Sequence, residues 1–325
     1  MILTIRKTLV CMKIGVVGVG VWGENHVKCL SLIPEVTKLV VFDTCQQRLE
    51  KVHEQYAAVP CSVLDDLLSC DAVVVAAPTV YHYDLGSYFI THKIPCLIEK
   101  PLAFSSQEAR NLTMLAKEYK SLLMVGHIEH FNPAFLKLKQ VLASDENIIA
   151  IDIQRLGMAR PGLDKSVDVI FDLMIHDIEL TNNLTMDDKI VDIRSYRTAH
   201  QDALGHVHAT LHYQSGTIVN MTSSRVCEKK QRTINLITTK RHLSIDLLAQ
   251  RLMETRSVNN KQVIRDIEVA HHEPLRAELS HFLACIADPT ACIVTSDAGL
   301  EAVEIAERIK SQVMGANVED ACVLT

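Results

Sequence analysis

No stretch of this chain stays apolar for the roughly eighteen residues that a membrane span needs, because charge, glycine or proline interrupts every candidate. A membrane-spanning helix is therefore excluded. Positive charge is not in excess either: the net charge is -6, which argues against a general nucleic-acid surface, and the basic cluster Lys229, Lys230 and Arg232 reads as a solvated strand edge or turn. The ten cysteines include no C-x-x-C pair and no His/Cys ligand spacing, so neither a zinc knuckle nor a disulfide framework is indicated and no metal is assigned. Reduced thiols in the cytoplasm fit that pattern. The opening MILTIRKTLVC has too short an apolar segment and no cleavage site for a secretory signal. Met12 reads as the natural start, with residues 1–11 an upstream extension. Repeats, low-complexity tracts and long linkers are also missing.

What is present is a chain of 325 residues, 48% hydrophobic with a mean hydropathy of +0.13, enough for about two domains that each bury a core. The stretch Lys13 to Gly23, KIGVVGVGVWG, reads as a buried strand running into a glycine turn and then a helix. Gly18, Gly20 and Gly23 have the G-x-G-x-x-G spacing: the first permits the tight turn, the second lets a pyrophosphate approach the backbone, and the third lets the helix pack closely. With Val21 and Trp22 they are the candidate cofactor loop, its helix start turned to the phosphates. A second apolar run, KLVVF, ends in Asp43, about twenty residues past Gly23, where the fingerprint expects its ribose-binding acid. A carboxylate there accepts both ribose hydroxyls and repels a 2′-phosphate, so NAD is expected, with NADP less favoured; Arg48 lies close by.

The run DAVVVAA at 71–77 is a parallel strand buried on both faces. It places Ala77, Pro78 and Thr79, with His82 one turn on, at the carboxyl edge of the sheet where ligands of doubly wound folds collect. His82 is either a ligand contact or a helix cap. A further strand, PCLI, stops at Glu99, Lys100 and Pro101, and a charged pair at a strand's carboxyl end is placed for chemistry. After the strand 122–126 the pattern changes to one apolar helix and several strands in succession. The fold class is therefore α/β: a Rossmann-type doubly wound parallel sheet over 1–127, then an α+β domain over 128–325 with a mainly antiparallel open sheet, its closing helices able to pack back on the first domain.

The helix 168–183, DVIFDLMIHDIELTNN, is apolar almost all round, yet Asp168, Asp172 and His176 recur every four residues as one polar stripe. Either the stripe is a structural ion-pair face or His176 takes the proton from a substrate hydroxyl while hydride leaves the same carbon. In the second reading Asp172 orients the imidazole and Lys100 reaches across from the cofactor domain to stabilise the oxygen. His206, His208 and His212 alternate along one strand as a rival metal set, but that face reads better as the outer side of the sheet, wet or against another subunit.

The pieces GVVGVGVWG, AAPTVYH, EKPLA and the D-x-x-x-H of Asp172 and His176 together resemble the Gfo/Idh/MocA oxidoreductase family, in the family's order and over almost the whole chain. The resemblance implies that Glu99 and Lys100 lie beside the nicotinamide, that Asp172 and His176 face them, and that the open sheet makes subunit contacts in a homodimer or homotetramer. VGHIEHFNPAF, RLGMARPG and DLMIHDIEL are most similar to members that oxidise the 3-hydroxyl of UDP-N-acetylglucosamine for a partner aminotransferase of the lipid A type. That implies a nucleotide-sugar substrate, with His127, Asn132, Arg155, Arg160 and His176 as its candidate contacts; either arginine holds the diphosphate or both are merely solvated. Two departures stand out: His130, where relatives often carry arginine, and Ala159. The alternatives are a dehydrogenase of a free sugar, inositol or uronate derivative and, in another class, a non-catalytic NAD-binding sensor or scaffold.

Overall fold

The computed structural model describes residues 11–159, 167–186, 188–198 and 204–315, so residues 1–10 and Arg160 lie outside the described residues. Two compact units divide the chain, one of residues up to 126 with 275–297, the other of 127–274 with residues from 298 onward. The first unit begins β1 (Met12–Val17), α1 (Val21–Leu30), β2 (Val36–Phe42), α2 (Gln46–Tyr56), β3 (Val59–Pro60) and β4 (Ala72–Val75). It continues α3 (His82–Thr91), β5 (Cys96–Glu99), α4 (Ser106–Tyr119) and β6 (Leu123–Gly126). The strands form a six-stranded sheet in the order β3-β2-β1-β4-β5-β6, and all of its pairings are parallel. Strand order reverses between β1 and β4, which creates a crevice at their carboxyl ends.

Sequence explains why these strands sit inside. Val73, Val74 and Val75 of β4 are all 0% exposed, so both faces are covered and the run is continuously apolar rather than alternating. Each such side chain contributes about 1.5–3 kcal/mol of burial. Helix α4 starts where Ser105 accepts the Glu108 N–H at 3.2 Å, and it stops where Lys120 turns left-handed.

The second unit holds α5 (Pro133–Val141), β7 (Ile148–Met158), a π-helical turn over Ile170–Met174, α6 (Ile175–Leu184), β8 (Ile190–Arg197), β9 (His206–Tyr213) and β10 (Ile218–Ser224). Then come β11 (Val226–Thr238), β12 (His242–Asp246), β13 (Arg251–Val258) and β14 (Lys261–Ile267). Its eight strands run β14-β13-β12-β11-β7-β10-β9-β8, antiparallel throughout except for the β7–β10 pair. One face is apolar: on β9, Val207, Ala209 and Leu211 are fully buried, while His206, His208 and His212 take the opposite face. The hairpin β13–β14 is an addition to the strands expected from sequence, and its turn is Asn259-Asn260 with φ of 51° and 59°.

Two closing helices follow, α7 (Pro274–Ala287) and α8 (Ser296–Gly315). Residues 275–297 return to the first unit, so the span 128–325 expected as one domain is interrupted there. The physical reason is that Val294 accepts a backbone hydrogen bond from Val125 at 3.1 Å and Thr295 bridges Met124 antiparallel, extending the sheet at β6. No helix among the described residues is long and apolar enough to cross a membrane.

Candidate active site

The glycine loop joins β1 to α1, and its three glycines do three different jobs. Gly18 has φ of +82°, and a Cβ there would stand 2.8 Å from the Ala77 backbone, so the turn presses directly on the end of β4. At Gly23 a Cβ would lie 1.8 Å from the Gly18 carbonyl oxygen, so this glycine lets the helix pack on the turn's own backbone. Gly20 is the contrast. A Cβ at Gly20 would meet nothing nearer than Arg48 Nη1 at 3.8 Å. The protein itself does not need a glycine there, whereas a phosphate drawn against the loop does. Val21 and Trp22 open α1, whose first helical bond runs from Glu24 N to Gly20 O. This loop fits a dinucleotide.

Asp43 directly follows β2 and bends back to the loop. Its carboxylate accepts Val19 N at 2.7 Å and Cys45 N at 2.8 Å, using two of about four lone-pair positions and leaving the rest for a ribose. Arg48 approaches Asp43 at 3.8 Å with its own side chain 56% exposed.

At the ends of β4 and β5 the polar groups brace one another. His82, expected as a cofactor contact, is only 1% exposed, and its ring nitrogens lie 2.8 Å from the Pro101 carbonyl and 2.9 Å from the Ala77 carbonyl. Set between these two carbonyls, the ring braces the ends of the two strands, donating to one carbonyl when neutral. Burial pushes its pKa below the ordinary value, against the two carbonyls that favour the charged ring. Glu99 accepts His26 Nε2 at 2.6 Å on one oxygen and Lys100 N at 3.1 Å on the other. Burial raises this carboxyl, but the His26 hydrogen bond and charge, with Lys100, hold it below the usual range. Lys100 thus leaves the sheet beside a fixed anion. Sequence reading missed His26, yet it falls on the buried stripe Gly23, His26, Val27, Leu30 of α1, and a polar side chain on such a stripe needs a partner.

In the second unit, Asp172 lies in the π-helical turn and His176 is the second residue of α6. Both are half-buried, while Phe171, Met174, Ile175 and Asp177 around them are buried. The His127 ring lies edge-on to His176 at 6.4 Å, so these two expected contacts come together. Asp168 does not share their role: it is 5% exposed, caps the turn by accepting Ile170 N and Phe171 N at 3.0 and 3.1 Å, and pairs with Lys310 at 2.8 Å. The π turn replaces the regular α-helical stripe there.

Two candidate substrate contacts are otherwise occupied. Asn132 is 3% exposed, accepts Ala134 N at 3.1 Å as the cap of α5 and donates to Leu247 O at 2.9 Å. Arg155 is 2% exposed and donates to Asp177 from Nε and Nη2 at 2.9 and 2.7 Å and to Glu129 from Nη1 at 2.7 Å. A guanidinium held by two buried carboxylates does not hold a diphosphate. The signal was in the strand: Ile151, Ile153 and Arg155 share the inward phase of β7. Glu129 also accepts Arg232 at 2.8 Å; burial raises it, but Arg155 and Arg232 hold its carboxyl below the usual range. Burial leaves Asp177 raised even against Arg155. His130 pairs with Glu179 at 2.8 Å, both buried. His208, of the histidine face, is taken up by Thr222 at 3.0 Å and Thr210 at 3.3 Å.

The family model of the NAD-binding Rossmann fold of an oxidoreductase family, GFO_IDH_MocA, matches residues 12–127. UDP-N-acetylglucosamine 3-dehydrogenase of Acidithiobacillus ferrooxidans is 31% identical over 86% of this chain and 90% of its own length. A solved structure of that enzyme superposes with a TM-score of 0.86, covering 94% of this chain and 98% of its own, at 28% identity. scyllo-Inositol 2-dehydrogenase (NAD(+)) of Bacillus subtilis is 25% identical over 87% of this chain and 89% of its own length. With this relationship running through both units, the chain belongs to the Gfo/Idh/MocA oxidoreductase family.

Proposed function

We propose that this protein is an NAD-dependent sugar dehydrogenase that oxidises the 3-hydroxyl of a nucleotide-linked N-acetylhexosamine, UDP-N-acetylglucosamine, to a ketone that an aminotransferase converts to a 3-amino sugar of the lipid A type. The observation that carries it is the open cradle at Gly20 beside the Asp43 carboxylate, in a chain 31% identical to UDP-N-acetylglucosamine 3-dehydrogenase. Gly18, Gly20, Val21, Trp22 and Gly23 hold the pyrophosphate, and Asp43 holds the ribose and disfavours NADP. Bound NAD supplies the hydride acceptor.

The residues do the rest. His176 receives the hydroxyl proton at an imidazole nitrogen, Asp172 stabilises the positive ring that results, and His127 fixes the ring's plane. Lys100, oriented beside Glu99, stabilises negative charge growing on the oxygen. His82 and His26 act through Ala77, Pro101 and Glu99 as positioning residues. A second reading, oxidation of a free cyclitol, is favoured by the engagement of Arg155, which leaves it no role at a diphosphate.

The test is NADH formation by the purified protein with UDP-N-acetylglucosamine, NAD, an aminotransferase and glutamate, run beside scyllo-inositol. Turnover of the nucleotide sugar supports the first reading, and turnover of inositol alone replaces it with the second. Lys100→Ala and His176→Ala should each lower kcat about 10²- to 10⁴-fold with NAD binding retained. Full activity in either would remove the mechanism.

A further inference from the structure

In the first unit the fold collects three ligand-bearing side chains that no finger-like spacing announces. His281 and Cys285 stand one turn apart on α7, and Cys292 follows the short 3-10 turn Pro289–Ala291. The ligand atoms of all three lie within 4.8 Å of one another. Cys285 Sγ is 3.3 Å from His281 Nε2. That nitrogen also accepts the Ile293 N–H at 3.2 Å, so Nε2 is the unprotonated ring nitrogen, and its one lone pair is held by that amide until an ion takes it. Cys285 is buried, and His281 and Cys292 are half-buried, which leaves a route for an ion.

We propose that His281, Cys285 and Cys292 bind one zinc ion through Nε2 and two Sγ atoms, with water as the fourth ligand. Thiolate and imidazole ligands form a soft donor set suited to tetrahedral Zn²⁺. With Zn–S of about 2.3 Å and Zn–N of about 2.0–2.1 Å, neighbouring ligand atoms of a tetrahedron stand roughly 3.5–3.8 Å apart. The 3.3 Å contact and the 4.8 Å limit bracket that spacing, so binding needs side-chain adjustment and the release of the Ile293 N–H from Nε2. Binding exchanges two thiol protons for one divalent cation, and both protons go to solvent.

Burial raises the Cys285 thiol to about 11, with Cys292 adding to it, and burial raises Cys292 as well. Zinc must therefore displace the protons of thiols that burial keeps protonated. The consequence is mechanical. Cys292 begins the segment that pairs with β6 through Val294 and Thr295, so zinc would tie the second half of α7 to the edge of the cofactor sheet, three strands from β1.

The experiment equilibrates reduced full-length protein with Zn²⁺ alone, removes excess by gel filtration, and measures zinc per chain together with the thermal midpoint. Wild type should retain about one equivalent and unfold at a higher temperature with zinc than without. Cys292→Ser and His281→Gln should lose both effects while binding NAD as wild type does. Co²⁺ should give a thiolate-to-cobalt charge-transfer band that Cys292→Ser abolishes. No retained zinc in the reduced wild type overturns the proposal, as does equal retention in wild type and Cys292→Ser. A Cys285–Cys292 disulfide that persists under the reducing conditions of the assay, seen as the loss of two hydrogens in the intact mass, also overturns it.

Discussion

The cofactor loop of the first unit and the ion network of the second secure their polar groups by opposite means. In the first, the work is done by backbone: Gly18, Gly20 and Gly23 sit within one short stretch, and the Asp43 carboxylate is fixed by the amides of Val19 and Cys45. In the second, charged side chains meet charged side chains from far apart in the chain, as Glu129, Arg155, Asp177 and Arg232 do. Backbone groups are satisfied whatever the neighbouring side chains are, so the first arrangement tolerates change around it. A buried ion network does not, because each charge depends on its partner to offset desolvation.

Arg155→Met is the sharpest way to break that comparison. It strands Asp177, whose carboxylate is paired with Arg155 at 2.7 Å, and should destabilise the protein by about 3–5 kcal/mol in urea unfolding. Adding Asp177→Leu should recover most of the loss, since Glu129 keeps Arg232 at 2.8 Å. A double variant no better than the single would mean that the arginine packs rather than neutralises.

The glycines allow a similar separation inside the first unit. Gly23→Ala drives a methyl into the Gly18 carbonyl and should cost about 1–3 kcal/mol in stability as well as NAD affinity. Gly20→Ala has 3.8 Å of clearance and should leave unfolding nearly unchanged while weakening NAD binding. Equal stability losses in the two variants would show that the Gly20 position serves the fold and not the phosphate.

This contrast also explains what was legible beforehand. The glycine loop, Asp43, the parallel sheet with its carboxyl-edge residues and the mainly antiparallel second sheet could be read because each signal is contained in one stretch or one alternation. What engages His82 and Asn132 could not be read, since the same residue types serve as ligand contacts, staples and caps, and their partners Pro101 and Leu247 are set by folding. The pairing of His26 with Glu99 spans 73 residues and has no local trace except a polar side chain on an apolar stripe. Helix α5 was not expected, although Asn132-Pro133, a cap followed by proline at the first helical position, carried its signal. The β13–β14 hairpin was hidden because most of β14 is exposed and lacks apolar alternation.

Acid should expose the second unit's dependence on ionised carboxylates. Glu146 is held at about 2, chiefly by its Arg241 hydrogen bonds, and Glu129 is also held low. A depressed folded-state pKa gives stability that is complete above the unfolded value, about 4.3, and is lost as pH falls through the folded value. Unfolding free energy should therefore decline from about pH 5 toward pH 2. Asp177 works in the other direction, its raised value favouring the folded state at low pH and opposing it as pH rises through the carboxylate range. Glu146→Gln should flatten the acid limb, and an unchanged limb would remove this pair from the account.

The smallest effect should come from a second arginine that holds an aspartate through Nε and Nη2. Arg251 donates to Asp266 from Nε and Nη2, both at 2.9 Å, across the β13–β14 hairpin, but the two side chains are 60% and 58% exposed. Water already solvates both charges, so the pair gains little from meeting and salt screens what it gains. Arg251→Ala should change stability by at most about 1 kcal/mol, and less at high ionic strength. Arg155 and Arg251 both hold a carboxylate with two nitrogens, and the largest difference between them is burial. If Arg251→Ala cost as much as Arg155→Met, burial would not be what separates the two arginines, and the dependence attributed to the ion network would belong to arginine packing wherever it occurs.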